Sequence, residues 1–253
     1  MPAKPTKKEV VRVQSKPGTQ ANQSAWKPTP EAKQQATTFR IIALVLWALA
    51  IAGELFAIFW VLKQSTINMV LLIGAIVVIG VLAVIGDLLW KRANRMDPAS
   101  TSEPVRFFIQ NQLGALIGVV AFLPLIILIL MNKDMTQQQK GIASAVGVVA
   151  LVVASIAGVS LNPPSVEQYT ADTATVMGYT GHNLVYWTKA GSVYHLCDAA
   201  SDLQQESKDN KIYSGTVADA NVAGKSRLTL KVQEELKQCG ISTPIPPSPT
   251  PKP

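Results

Sequence analysis

The chain has 253 residues, of which 48% are hydrophobic and only 15% are charged, whereas soluble globular proteins average about 25% charged residues. Its net charge of +7 raises the question of nucleic-acid binding. The basic first 40 residues contain no arginine cluster and one aromatic residue before Phe39, which argues against that class. The apolar residues concentrate between Ile41 and Leu161, and this uneven distribution predicts an integral membrane protein.

The N-terminal segment 1–40 is rich in Lys, Pro, Gln, Thr and Ala and has no apolar period. Such a composition buries too little surface to offset the entropy of ordering, so we expect a disordered basic tail. The first apolar run begins at Ile41, too far along the chain and too long for the core of a signal peptide. We therefore expect this run to remain in the protein as its first membrane span.

Four apolar runs follow one another, and each has about the twenty residues that cross a hydrocarbon core about 30 Å thick. They occupy residues 41–62, 69–90, 113–131 and 142–161. Backbone groups in lipid must pair within their own segment, so the runs are predicted to be helices. The fold class that we expect is a mainly α membrane protein with a four-helix transmembrane bundle.

The distribution of Lys and Arg predicts the orientation of the spans. Segment 1–40 holds eight such residues and loop 91–112 holds four, whereas the other two loops hold one and two. This asymmetry predicts that both the N-terminus and the C-terminus lie in the cytoplasm, with the spans in the plasma membrane. The prediction for the C-terminus depends on an even number of spans.

Residues 162–241 differ in character and predict a small soluble α+β module. Strands are expected at 184–188, 193–196 and 212–213, helices at 198–205, 217–223 and 228–239, and a loop at 165–181. The segment 242–253 holds six prolines and is expected to be an extended, unpacked tail.

Glu54 is the one acid deep inside the first run. An ionisable group at that depth is costly unless it is paired or wetted, so it marks a candidate proton relay or ion site. The alternative is a protonated carboxyl that hydrogen-bonds to a neighbouring helix. We favour this alternative because a single acid makes no pathway and the four runs contain no Lys, Arg or His.

Asp87 lies near the cytoplasmic end of the second run, with Lys91 four residues further on. Residues at this spacing face each other on a helix, which predicts an interfacial ion pair. Glu54 and Asp87 are expected to differ in depth by about 15 Å, counting about 1.5 Å per residue, so they should not form a carboxylate pair.

Small residues recur every four positions in the last two runs. Gly114 and Gly118 form one such row, and Ala150, Ala154 and Gly158 form another. Rows of this kind let helix backbones approach closely in lipid. We expect them to be packing surfaces within the bundle.

His195, Cys197 and Cys239 are weak candidates for a metal site, because a closed zinc site needs a fourth ligand and a second close pair. A disulfide between Cys197 and Cys239 requires an oxidising compartment. The third alternative, two reduced core thiols, fits the predicted cytoplasmic side best. No phosphate-binding loop, metalloprotease motif or nucleophile signature is present, so no enzymatic activity, cofactor or small-molecule substrate is predicted.

The second half of the chain carries the stretch Val185-Tyr186-Trp187-Thr188-Lys189-Ala190-Gly191-Ser192-Val193-Tyr194-His195-Leu196-Cys197, followed by Ser214-Gly215-Thr216-Val217. With the basic N-terminal segment and the four runs, this pattern resembles a family of uncharacterised four-span membrane proteins of actinobacteria. Related small modules end in Cys-x-x-Cys, whereas this chain has Leu236 and Cys239 there. The resemblance implies a class of protein and no activity.

These features predict a non-enzymatic scaffold or accessory subunit of a membrane complex, with the bilayer and other subunits as partners. The alternative is a small transporter or channel that uses Glu54. The two hypotheses differ in what should surround Glu54: a polar cavity for a transporter, and close packing for a scaffold.

Overall fold

The computed structural model describes residues 8–13 and 26–241. Within this part the chain forms two compact units. Residues 28–163 make up a helical bundle, and residues 8–13, 26–27 and 164–241 make up a second unit, called the module below. The predicted Pro-rich tail 242–253 lies outside the described residues.

The bundle consists of four long helices, which confirms the predicted fold class. They are α1 (Pro30–Phe59), α2 (Met69–Met96), α3 (Pro104–Met131) and α4 (Gln137–Gly158), with a 3-10 turn at Val61–Lys63 after α1. Most extend beyond the apolar runs that predicted them, because polar turns continue each helix into its caps. Thr29 and Asn68 each accept a backbone hydrogen bond as N-caps, and Thr136 forms a capping box with Gln139.

All four helices are long and apolar enough to cross a membrane, with a mean hydropathy between 2.2 and 3.0 over their most apolar 18 residues. Their outward faces carry large exposed apolar side chains such as Val70, Val78 and Ile156. In water such a surface would be costly, whereas lipid accommodates it. These four helices therefore indicate an integral membrane protein.

The two predicted rows of small residues, apart from Ala150, pack against each other between α3 and α4. A methyl group at Gly158 would lie 2.3 Å from the backbone nitrogen of Ala115, and one at Gly118 would lie 3.3 Å from the Cβ of Ala154. The helices approach this closely because neither position carries a larger side chain. The predicted packing role of these residues is confirmed.

The module contains a three-stranded sheet in the order β1-β3-β2, formed by β1 (Glu9–Arg12), β2 (Val185–Trp187) and β3 (Lys211–Gly215). Strand β1 pairs with β3 in parallel, and β2 pairs with β3 in antiparallel fashion. Its helices are α5 (Val166–Thr180), α6 (Ser201–Glu206), α7 (Val217–Val222) and α8 (Val232–Gln238). The core of the module contains Val176, Trp187, Tyr194, Val217 and Leu236.

Part of the expected disordered segment 1–40 is ordered, so that prediction is wrong for residues 9–12 and 30–40. Strand β1 buries little side-chain surface, and it is held by backbone hydrogen bonds such as Glu9 N–H to Asn210 O at 3.0 Å. The amino-acid composition of a segment indicates how much apolar surface it can bury. It therefore does not predict a strand that backbone hydrogen bonds hold at the edge of a sheet.

The predicted loop 165–181 is also wrong, because it contains helix α5. Ser165 caps the start of this helix, and Gly181 ends it with a φ of 77°. Tyr169 and Val176 are fully buried on one face, two turns apart. Only two positions of this helix are buried, and so small an apolar face gives a weak period in the sequence.

The predicted strand 193–196 is reduced to two isolated bridges, Tyr186 with His195 and Tyr194 with Leu228. The other predicted strands and the three predicted helices of the module are present with shifted ends, as strands β2 and β3 and helices α6, α7 and α8.

Candidate functional sites

Glu54 lies on the buried face of α1, where its side chain is 3% exposed. The apolar core of the bundle surrounds this level of the helix, with Ile79 against Gly53 and Leu125 on α3. One carboxyl oxygen is within hydrogen-bonding reach of the Leu125 backbone N–H, and the other meets no partner among the described residues. The arrangement matches a carboxyl that bonds to a neighbouring helix.

Pro124 precedes Leu125 inside α3. A proline in a helix disturbs the hydrogen-bond ladder of the turn around it. The backbone N–H of Leu125, in that turn, is the group that lies near the Glu54 carboxyl.

Asp87 is 1% exposed and occupies the space that Gly114 leaves on α3. A methyl group at Gly114 would lie 2.6 Å from Asp87 Oδ1. No ion pair within 4.0 Å joins Asp87 to Lys91 among the described residues, so the predicted ion pair is not formed. The carboxylate turns into the bundle beside Trp47, whereas helical spacing had suggested that it would face Lys91.

An interfacial cluster that the sequence analysis missed joins α1, α2 and α3. Arg40 donates to Asp97 Oδ2 at 2.7 Å and to the Asp97 backbone oxygen at 2.8 Å. Gln110 donates to that same backbone oxygen at 3.1 Å, and its own backbone oxygen accepts from Trp90 and Asn94. A lone arginine before one run and a lone aspartate after another give no pairing signal in a single sequence.

A pocket of about 560 Å³ opens beside the interfacial cluster. Arg40, Glu103, Arg106 and Gln110 provide its polar lining, and its apolar lining includes Trp90 and Ile109. The lining therefore combines charged groups of both signs with an apolar wall.

The three weak metal candidates of the module are engaged with other groups. Cys197 and Cys239, 42 residues apart, are joined in a disulfide. His195 is 1% exposed, and its Nδ1 lies 2.5 Å from Oε1 of the buried Glu235. The described residues contain no cluster of three or more His, Cys, Asp or Glu side chains arranged to hold a metal ion.

Glu235 is a second residue that sequence reasoning missed. Its Oε1 contacts the His195 ring and its Oε2 accepts from the Leu196 backbone N–H at 3.0 Å. It thereby ties α8 to the segment that contains both His195 and Cys197. The helical spacing of this segment indicates the apolar position Leu236 and gives no signal for the acid beside it.

The turn between β2 and the 193–196 segment is held by a buried lysine. Lys225 is 5% exposed, and its Nζ donates to the backbone oxygens of Lys189, at 3.1 Å, and Gly191. Burial lowers the pKa of Lys225, and the nearby Glu206 carboxylate opposes this change. Thr188 Oγ1 accepts from the Gly191 N–H at 2.9 Å. The Thr-Lys-Ala-Gly part of the motif thus builds a turn.

The Ser-Gly-Thr part of the motif starts helix α7. Thr216 and Asp219 form a reciprocal capping box. A side chain at Gly215 would collide with Asp219, at 2.9 Å, and with Trp187, at 3.0 Å. The glycine and threonine are therefore explained by packing and capping.

Asp172 and Tyr194 form a partly buried polar pair inside the module. Burial raises the pKa of Asp172 to about 6, while hydrogen bonds from Tyr194 and Gln168 oppose this rise. Tyr194 is fully buried, and burial together with the Asp172 carboxylate raises its pKa as well. The raised pKa of Asp172 makes the stability of the module depend on pH between about 4 and 6.

Comparisons with known proteins yield no relative from which a role can be transferred: no family model, curated protein or solved structure matches the chain.

Proposed function

We propose that the protein is a non-enzymatic scaffold or accessory subunit of a complex in the plasma membrane. Its four-helix bundle anchors the module, and the module contacts the partner. We also propose that it belongs with the actinobacterial four-span proteins that its motif resembles.

The observation that carries this proposal is the close packing around Glu54. Glu54 is 3% exposed, bonds towards Leu125 on α3 and lies against the apolar core of the bundle. A transport pathway requires water or partner groups at an intramembrane acid. The pocket lined by Arg40 and Arg106 does not include Glu54. Packing of this kind favours an anchor over a transporter.

The motif residues support the same conclusion. His195 binds Glu235, Lys225 binds two backbone oxygens, and Thr216 caps a helix. Each polar group serves the internal structure of the module. Because these polar groups are used within the fold, we propose that the surface of the module is the part that contacts a partner.

The sheet of the module supports an even number of membrane crossings. Strand β1 precedes the first span and β3 follows the fourth, yet the two pair along four residues. Two strands of one sheet lie on the same side of a membrane. We propose that this side is the cytoplasm, because the predicted inner segments hold twelve Lys and Arg and the outer loops hold three.

The disulfide supports the opposite side, because disulfides persist in oxidising compartments. We give the charge distribution more weight, since it acts on the insertion of every span. We propose that on the cytoplasmic side this disulfide is reduced to two adjacent thiols.

Affinity purification in a mild detergent tests the proposed role. We expect the wild-type chain to recover a partner in a fixed stoichiometric ratio. Leu230 is 85% exposed on the module and gives a surface variant, Leu230→Glu, which we expect to lower partner recovery. Lys208→Glu, at another exposed position of the module, is the control. Recovery of the wild-type chain without any stoichiometric partner would contradict the proposal.

A further inference from the structure

The pocket beside the interfacial cluster lies at the level where the helices leave the apolar phase. Arg40 directly precedes the first apolar run and Trp90 ends the second. Indole rings and arginine side chains favour the headgroup region of a bilayer. A ligand of this pocket therefore comes from the headgroup layer.

One side of the pocket offers groups that bind an anion. Helix α3 begins there, and its N-cap residue Glu103 makes no side-chain capping bond to the free N–H groups of the first turn. The Arg106 side chain is 51% exposed at the same position. Arg40 also lines the pocket, and its Nε has no hydrogen-bond partner among the described residues.

The pocket also contains acceptors. Gln110 is 7% exposed and lines the pocket, and its Oε1 accepts no hydrogen bond from the described residues. The Glu103 carboxylate, 53% exposed, adds a negative charge at the rim.

The positive and negative side chains around the pocket are equal in number. This neutrality favours a lipid headgroup without net charge. Arg40 is paired with Asp97, and Arg106 with Glu103. A bare multivalent anion gains little from a neutral pocket. A headgroup with a phosphate and an adjacent ammonium matches the neighbouring Arg106 and Glu103, because the phosphate suits arginine and the ammonium suits a carboxylate.

The apolar wall explains why the ligand is a lipid. Val105 is 72% exposed and Ile109 is 46% exposed, and both line the pocket. They continue into the exposed apolar face of α3, which includes Leu116 and Val120. An acyl chain attached to a bound headgroup would lie along this face.

We propose that this pocket binds a phospholipid whose phosphate is joined to a primary ammonium group, as in phosphatidylethanolamine. The phosphate contacts Arg106 and the first N–H groups of α3. The ammonium donates to the Glu103 carboxylate, which is 53% exposed. This site is independent of the proposed scaffold role.

Native mass spectrometry of the whole protein released from mixed nanodiscs tests the site. The nanodiscs contain equal amounts of phosphatidylethanolamine and phosphatidylcholine, which share the phosphate and differ in the N–H donors. We expect about fivefold preferential retention of phosphatidylethanolamine, the ratio given by one net hydrogen bond of ordinary strength. Equal retention of the two lipids, or a preference for anionic phosphatidylglycerol when that lipid is added, would overturn the proposal.

Variants and a free headgroup sharpen this test. Arg106→Ala should lower retention of both phospholipids, and Glu103→Gln should reduce the preference between them. Lys140→Ala, at the other end of the bundle, should leave both unchanged. Size-exclusion elution and helical content verify that each variant folds, and Arg106→Lys should retain part of the binding. Soluble phosphoethanolamine should not displace the lipid; if it does, the ligand is the free molecule and the lipid assignment is wrong.

Discussion

Glu54 and Asp87 show how acids are accommodated inside the bundle. Glu54 faces the turn that Pro124 disturbs, and Asp87 fills the space left by Gly114. Both are specific packing arrangements. Sequence reasoning located both acids and favoured the packing interpretation of Glu54, but it assigned Asp87 to a partner on its own helix. Whether a side chain faces a glycine on another helix depends on how the helices pack, and a single sequence does not show this.

The Glu54→Gln substitution separates packing from transport. A glutamine keeps a carbonyl acceptor for the Leu125 N–H, so we expect the bundle to keep its stability within about 1 kcal/mol. Glu54→Leu removes the acceptor and should cost about 1–3 kcal/mol. Thermal unfolding in detergent measures both changes. If ion or solute flux in proteoliposomes occurs and falls in Glu54→Gln, Glu54 has a transport role.

Asp172 gives the module a defined pH dependence. Its pKa is raised from 3.8 to about 6 by burial, so the folded state holds the proton more tightly than the unfolded state. The contribution of Asp172 to stability is therefore greatest below about pH 4 and falls as the pH rises to about 6, by about 1 kcal/mol for a partly exposed group. Urea unfolding of the whole protein, followed by circular dichroism, measures this change. Asp172→Asn should be insensitive to pH over this interval, and an unchanged slope would contradict the assignment.

At the scale of elements, the sequence predicted the helices better than the module. Long apolar runs of fixed length have few structural solutions, and rows such as Gly114–Gly118 identify the faces that pack. Short elements depend on contacts between distant residues. Strand β1 is the clearest case, because its ordering depends on β3, about 200 residues further along the chain.

The Gly158→Ala substitution tests the contact between α3 and α4. The added methyl group would meet the backbone of Gly114 and Ala115 at 2.4 Å and 2.3 Å, and backbone atoms cannot rotate away. We expect a loss of about 1–3 kcal/mol of bundle stability. Gly141→Ala in the same helix has open space around the new methyl group and is the matched control. Equal melting temperatures of the two variants would argue against this helix contact.

Proline substitutions in β1 test its place in the sheet. The Glu9 N–H donates to Asn210, just before β3, and the Val13 N–H donates to Ser214 in β3, so the parallel pattern directs the Val11 N–H inward as well. Val11→Pro should release the strand and increase proteolysis of residues 8–13. Val10→Pro removes an N–H that points away from β3 and should have a smaller effect. Equal sensitivity of the two variants to protease would show that the strand is not paired in this register.

At the scale of the whole molecule, the chain closes its sheet with segments from both ends of the membrane domain. Strand β1 becomes available before the first span is made, and β3 only after the fourth. The module thus completes its fold after the last span has been inserted, with both segments on one side. The distribution of Lys and Arg predicts that both ends of the chain lie on one side, but nothing in the sequence indicates that the two segments touch.

The most direct test of the account is the accessibility of Cys197 and Cys239 in intact cells. Cells are treated with a reductant and then with a thiol reagent that does not cross membranes. In a background with both cysteines replaced by serine, single cysteines at the exposed positions Lys133 and Ser102 serve as outer and inner controls. The account predicts labelling of Lys133→Cys alone before lysis, and of the native cysteines and Ser102→Cys only after lysis. Labelling of Cys197 or Cys239 in intact cells would place the module outside and contradict the account.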